Sequence, residues 1–301
     1  MTPKRPPVGE YLLLGVLALL WGSSYLFIKI AVADIPPITL IAARVAGAAL
    51  FLSAVLVLGR RRLPSGIRIW AMLGVQAIFN SIAAWTVLAW GQQYVGAGLA
   101  SVLNSISPIF VFLFTALFSR HEALGGRKLA GAVIGLAGVV LIVGVDALSG
   151  LGTAVAGQLA CLAGAMLYGA AAIYGRRFAA LGPLETALGT MIWATAVLVP
   201  LAFVLEDPLA LHPRPATIAA TLVLAVFCTG TALLVYFRLI GTLGSLGVAS
   251  QSYLRAGVGV VLGMVVLGEV PPLSVAFGRL AAVLGVGLIN APSAPKPAPA
   301  D

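Results

Sequence analysis

The stretch YLLLGVLALLWGSSYLFI, Tyr11–Ile28, decides the class of fold. It carries eighteen residues without a charge. A helix needs about 20 predominantly apolar residues to cross the hydrocarbon core of a bilayer. Lys4 and Arg5 precede the run, as they would in a signal peptide. No small-x-small cleavage site closes it, and more apolar runs follow, so it reads as a retained first span.

Outward from this segment the same pattern recurs. Apolar stretches at roughly 11–32, 37–58, 68–90, 97–118, 128–145, 154–175, 185–205, 216–238, 246–267 and 273–291 predict ten spans. The links between them are short and carry Gly, Pro or charge. Of the 301 residues, 61% are hydrophobic and 9% charged, with mean hydropathy +1.09. A soluble domain carries about 25% charged residues, because its surface must face water. An ordinary soluble enzyme, a nucleic-acid binder and a disordered chain are therefore excluded. The expected fold is an all-α integral membrane protein, with lipid as its surroundings and no nucleic-acid partner. Cys161 and Cys228 lie inside apolar runs and read as small buried hydrophobes.

Charge placement predicts orientation. Lys4, Arg5, Arg60, Arg61, Arg62, Arg68, Arg120, Arg127, Lys128, Arg176, Arg177, Arg238 and Lys296 fall on one side of the ten-span arrangement, against Arg214 and Lys29 on the other. Cytoplasmic loops are enriched in Lys and Arg, so both termini are expected in the cytoplasm of a cell whose inner membrane holds the protein. Arg44, Arg255 and Arg279 fall within spans. Arg44 and Arg279, nearer the outer ends, read as snorkelling side chains or gate ion pairs.

The chain also aligns with itself at an offset of about 147 residues. Trp21-Gly22 matches Tyr168-Gly169, Lys29 matches Arg176, and Pro37 matches Pro183. Glu122, Gly131, Gly138 and Ile142 match Glu269, Gly278, Gly285 and Ile289. Matches in this order divide the chain into five-span repeats at 1–148 and 149–291, followed by a Pro/Ala-rich tail at 292–301 that reads as disordered. Five is odd, so the second repeat enters the membrane from the opposite side. Inverted repeats are typical of secondary transporters, whose substrate site lies near the midplane between the repeats.

Polar residues inside spans are the candidates for that site. Ser101, Asn104, Ser105 and Pro108 share one face of a continuous fourth span, lining a cavity or gluing helices together. Pro108 frees a backbone carbonyl one turn earlier. Ser250, Gln251, Tyr253 and Arg255 form a second cluster in span nine. The Arg255 guanidinium either binds a substrate carboxylate or caps free carbonyls. Ser24, Gln76, Asn80, Thr229 and Thr231 are further lining candidates. Trp21, Tyr25, Trp85, Tyr168 and Tyr174 form either an apolar wall or part of an interface belt, where Trp90 and Tyr94 belong.

What is missing narrows the chemistry. All nine acids lie at span ends, in links or in tails, so a buried carboxylate exchanging a proton for a cationic drug has no candidate. The cargo reads as neutral, zwitterionic or anionic. Both histidines, His121 and His212, lie in links. No metal triad, catalytic dyad or cofactor motif is present, and the reading is not an enzyme.

Several of these residues carry a family resemblance. Leu20-Trp21-Gly22-Ser23-Ser24 with Lys29, Ala100-Ser101 with Ser107-Pro108-Ile109-Phe110, and Leu267-Gly268-Glu269 resemble the EamA-type drug/metabolite transporter family, and within it amino-acid exporters of the YddG type. The resemblance covers residues 10–291. It implies ten helices, a central cavity lined by spans 1, 3, 4, 6, 8 and 9, and peripheral spans 5 and 10. Two departures stand out: Arg120-His121-Glu122 replaces the usual Leu-Gly-Glu, and Arg255-Ala256 stands where a residue followed by Pro is common. The function expected is export of amino acids or similar amphipathic metabolites by a monomer. Alternatives are a drug, sugar-phosphate or nucleotide-sugar carrier of the same fold, or a non-transporting membrane receptor or structural protein.

Overall fold

Three helices begin on a proline: α2 (Pro37–Leu58), α8 (Pro183–Leu205) and α9 (Pro215–Ala225). The missing proline N–H is no loss in a first turn, and the ring presets φ for the helix. The other helices are α1 (Val8–Ala31), α3 (Ile67–Ala77), α4 (Ala83–Gly91), α5 (Ser107–Phe118), α6 (Gly126–Val143), α7 (Val155–Gly175), α10 (Ala232–Ala249) and α11 (Leu273–Asn290). The computed structural model describes residues 8–91, 94–95, 102–118, 125–143, 154–255, 258 and 273–291, and among these all regular structure is helical. Ser101, Arg120, Glu122, Ala256, Glu269 and the tail at 292–301 lie outside the described residues.

Two pairs of helices are single rods interrupted by a wider turn. A π-helical turn, Ile78–Ile82, joins α3 to α4, and another, Val226–Thr231, joins α9 to α10. The two turns are separated by about the repeat offset. Gly244, at φ 76° and ψ 174°, breaks α10 and turns the chain between the expected eighth and ninth spans. Among the described residues, six runs are long and apolar enough to cross a membrane: Val8–Ile28, Pro37–Leu58, Ile67–Gly91, Val155–Phe178, Pro183–Leu205 and Pro215–Ala249. They correspond to expected spans one, two, three, six, seven and eight. Over their described parts the other four expected spans are mainly helical, in α5, α6, residues 251–255 and α11.

Polar contacts sort the links into two ends. At one end Arg238 pairs with Glu10 at 2.8 Å, Arg61 with Glu185 at 3.4 Å, and the Tyr11 hydroxyl donates to the Asn290 carbonyl at 3.3 Å. α1 therefore begins where α11 ends. At the other end the Glu206 carboxylate accepts from the Ile38 and Thr39 backbone N–H groups at 3.1 and 2.7 Å, capping α2 from the end of α8. Asp34 there accepts from the Arg214 side chain at 3.0 Å and from the Thr217 hydroxyl.

The closest packing joins α6 to α11 through glycine. A methyl placed on Gly131 would lie 2.8 Å from the Gly285 carbonyl oxygen, and one on Gly138 would lie 2.7 Å from that of Gly278. Gly131 aligns in sequence with Gly278, and Gly138 with Gly285. The contacts therefore swap partners between the repeats, as residues related by a two-fold axis do. Other contacts swap likewise. α1 packs on α10 and α7 on α4; α2 packs on α9 and α8 on α3. Gly22 of α1 meets Val258, and its sequence counterpart Gly169 of α7 meets Phe110. The outer faces of α6 and α11 expose Val133, Ile134, Phe277, Leu280, Val283 and Leu284.

Two outcomes follow from these contacts. A side chain at Gly285 meets only backbone, with the Gly131 oxygen and the Gly135 Cα both at 2.6 Å. Gly285→Val should therefore lower stability in detergent by about 1–3 kcal/mol, read as the midpoint of thermal unfolding. The Arg214 side chain, the Thr217 hydroxyl and the Arg214 backbone N–H hold the Asp34 carboxyl down at about 2, from an ordinary 3.8. A lowered carboxyl stabilises the fold fully above its ordinary value and loses that contribution as pH falls. The melting difference between the parent and Asp34→Asn should stay constant above pH 3.8 and close as pH approaches 2.

Candidate substrate-binding site

The third-span rod carries Gln76, Asn80 and Trp85, separated by four and five residues across its π turn. A π turn adds one residue, so the five-residue step keeps these side chains near one face. All three are buried. The Gln76 Nε2 donates to the Ala171 carbonyl of α7 at 3.2 Å. Only an amide nitrogen can donate there, which aims Oε1 the other way, and that oxygen has no partner. Asn80 Nδ2 reaches the Ser81 hydroxyl at 3.4 Å and its Oδ1 is likewise unpartnered.

Span four is not the continuous helix its polar stripe requires. Residues 102–104 are helical, 105–106 form a turn, and α5 then starts at Ser107. In the turn, the Ser105 and Ile106 N–H groups donate three residues back, to Val102 and Leu103 at 3.1 and 3.2 Å. Pro108 is the physical reason: it lacks an N–H and its ring crowds the carbonyl four residues earlier. Asn104 and Ser105 are buried, and Asn104 Oδ1 has no partner.

In the ninth span the expected cluster divides. Gln251 is buried with Oε1 unpartnered. Tyr253 turns to α6 instead: its hydroxyl donates to the Ala132 carbonyl at 2.9 Å, and its ring fills the space beside Gly135. A bulky ring opposite a glycine is a packing joint, which separates Tyr253 from Gln251. Arg255 is half-buried, and its carbonyl lies beside Gly22 where span nine meets α1. Ser24 is buried and donates to the Trp21 carbonyl at 2.6 Å within its own helix. Thr231 donates to the Val226 carbonyl at 3.0 Å across the second π turn.

Aromatic residues lie among these groups. Trp21 meets Tyr236 with ring centroids 5.3 Å apart, and Tyr168 is half-buried against the core. Trp90 and Tyr94 are 45% and 56% exposed. Cys161 and Cys228 are free and buried. A cavity of about 140 Å³ lies elsewhere, at the end carrying Arg238, with Phe178, Leu181, Pro183, Phe237 and Ile240 among its walls.

The residue that sequence reading placed wrongly is Arg44. Rather than snorkelling, it is 8% exposed inside the protein. Its Nε donates to the Thr229 hydroxyl at 2.5 Å and its Nη2 to the Cys228 carbonyl at 3.2 Å. Its guanidinium lies 4.3 Å from the centroid of the Trp85 ring. The available signal was the pairing of an in-span Arg with threonines in span eight. Helix rotation, which brings them together, was not visible from spacing alone.

Burial, apolar rods and polar groups turned inward are the marks of a multi-pass membrane protein. The chain matches the EamA-like transporter family over residues 9–144 and again over 155–291. It belongs to that family. An Archaeoglobus fulgidus protein named "Uncharacterized transporter" is 30% identical over 287 residues, spanning 93% of this chain and 97% of that one. The "Uncharacterized inner membrane transporter YedA" of Escherichia coli K12 is 31% identical over 128 residues, 42% of this chain and 40% of that one. A solved crystal structure shares the fold at TM-score 0.80 and 20% identity, over 94% of this chain and 97% of its own. The protein is thus a membrane transporter with two copies of the family's unit.

Asn104 supplies a test. A buried acceptor without a donor costs about 1–3 kcal/mol, and replacing it with an apolar residue of similar size removes that cost. Asn104→Leu should melt at or above the parent temperature in the absence of substrate, as measured by differential scanning fluorimetry.

Proposed function

We propose that this protein is a secondary transporter that exports amino acids, or similar small zwitterionic amphipathic metabolites, across the inner membrane by alternating access. The observation that carries this reading is four buried amide oxygens without donors, on Gln76, Asn80, Asn104 and Gln251; a fifth among the described residues, on Asn290, belongs to α11. Buried polar atoms are almost always paired, so four orphans in spans three, four and nine want a donor from outside the chain. A substrate ammonium supplies up to three N–H donors to such oxygens, which solvate its charge without a buried acid. Arg255 supplies the complementary group for a carboxylate, and Trp21, Trp85 and Tyr168 supply apolar surface for a side chain.

The swapped glycine contacts and the matched π turns support two inverted repeats of five spans each, divided near residue 148. The closure of α1 on α11 at the basic end supports an even number of crossings with both termini in the cytoplasm. Repeats that exchange conformations give inward- and outward-open states of similar energy, and that equivalence is the physical basis for alternating access. Ten spans enclose a path within one chain, which favours a monomer.

Uptake into proteoliposomes tests the reading, using a panel of amino acids with and without a pH gradient. At least one amino acid should enter faster than into empty liposomes and show counterflow. Asn104→Leu and Arg255→Ala should each cut that flux about tenfold or more with normal reconstitution, the cost of about 1.4 kcal/mol in transition-state contact. Sugar phosphates moving in place of amino acids would overturn the cargo assignment.

A further inference from the structure

The π turns of the two repeats are tied together by one side chain. Arg44, on α2, bonds Cys228 and Thr229 inside the second π turn and stacks on Trp85, three residues past the first. Within the second turn, the Thr229 hydroxyl donates to the Leu224 carbonyl at 2.8 Å and that of Thr231 to Val226 at 3.0 Å, each five residues back. Thr229 therefore accepts from Arg44 while donating to its own backbone. The arrangement is specific to the wide turn, since narrowing it to α-helix removes one residue of register and rotates Cys228 and Thr229 by about 100°.

We propose that Arg44 is the positioning residue that couples the two π turns, so that the interrupted rods of spans three and eight bend together. The guanidinium suits this task. Its plane lies over an indole face while its N–H groups bond edgewise, and a lysine ammonium has no planar fork to do both. A buried charge is also intolerant of losing partners, because leaving it unsolvated inside a membrane protein is costly. If the second turn rotates, Arg44 must follow or the turn must return. Its motion carries the stacked Trp85 with it. This inference rests on the alternating-access reading, and its readout is chosen to be independent of cargo.

Cys228 is a native reporter of the turn, being 1% exposed with its sulfur 3.8 Å from the Ser23 hydroxyl. In a Cys161→Ala background, N-ethylmaleimide labelling of the reconstituted full chain reads Cys228 alone. Arg44→Lys should raise the labelling rate about fivefold or more, the size of an ordinary coupling between sites. Thr229→Val, which keeps the guanidinium, should produce a similar rise. The double variant should label little faster than either single one, because both break the same link. For a transported amino acid, Arg44→Lys should lower turnover while leaving the half-saturating concentration unchanged. Parental labelling in Arg44→Lys, or single effects that simply multiply in the double variant, would overturn the coupling. Should Arg44→Lys fail to assemble, Thr229→Val decides the matter, and unchanged labelling there overturns it. If the parent carries no member of the panel, the transport reading falls while the labelling comparison still judges the coupling.

Discussion

Inside a bilayer a polar group must find its partner within the protein, and this constraint governs the molecule more than any other. Lipid offers no hydrogen bonds, so the chain crosses as helices that satisfy their own backbone. Where the helices widen, at residues 78–82 and 226–231, side chains add hydrogen bonds to backbone carbonyls. Thr229, Thr231 and Arg44 do so in the second turn. In the first, the Thr86 hydroxyl donates to the Ile82 carbonyl at 2.6 Å. Asn80 and Ser81 of the first turn and Cys228, Thr229 and Gly230 of the second are buried, where protein can supply partners.

Glycine is the second means by which the fold holds together. Lipid tails are as apolar as leucine, so helices gain little from hiding apolar surface from one another and associate by close packing instead. The contact between α6 and α11 has this form, with backbone set directly on backbone at Gly131, Gly138, Gly278 and Gly285. At the two ends of the bundle, ion pairs and a carboxylate cap connect first-half helices to second-half helices. Arg61 and Arg238 are more than half exposed in their pairs with Glu185 and Glu10, so those contacts orient the links more than they stabilise them.

Much of this was legible in the sequence. The starts at Pro37 and Pro183 and the extents of spans two, six and seven needed only apolar length and proline chemistry. The repeat was readable because matched pairs such as Gly22 and Gly169 are held by matched contacts, which limit what can stand there. Legibility failed where an outcome depended on rotation about a helix axis or a change of helix type. Asn104, Ser105 and Pro108 were assigned one face on the assumption of an unbroken helix, but the proline ends that helix at the turn before it. Tyr253 was grouped with Gln251 by neighbourhood in sequence, yet the two side chains leave the helix in different directions. Arg44 was judged by its distance from a span end, while its environment depends on the turn that happens to face it.

The sequence by itself determined the membrane class, the positions of the apolar helices and the doubling of the chain. These are properties of composition and period, and they survive any detail of packing. Tertiary structure alone decided which buried polar atoms are paired and which are left over. It brought Arg44 of one repeat onto the wide turn of the other, and left the amide oxygens of Gln76, Asn80, Asn104 and Gln251 without donors. The reason is that a hydrogen bond depends on distances of a few tenths of an ångström between residues far apart in sequence, and only the packed arrangement of helices sets those distances.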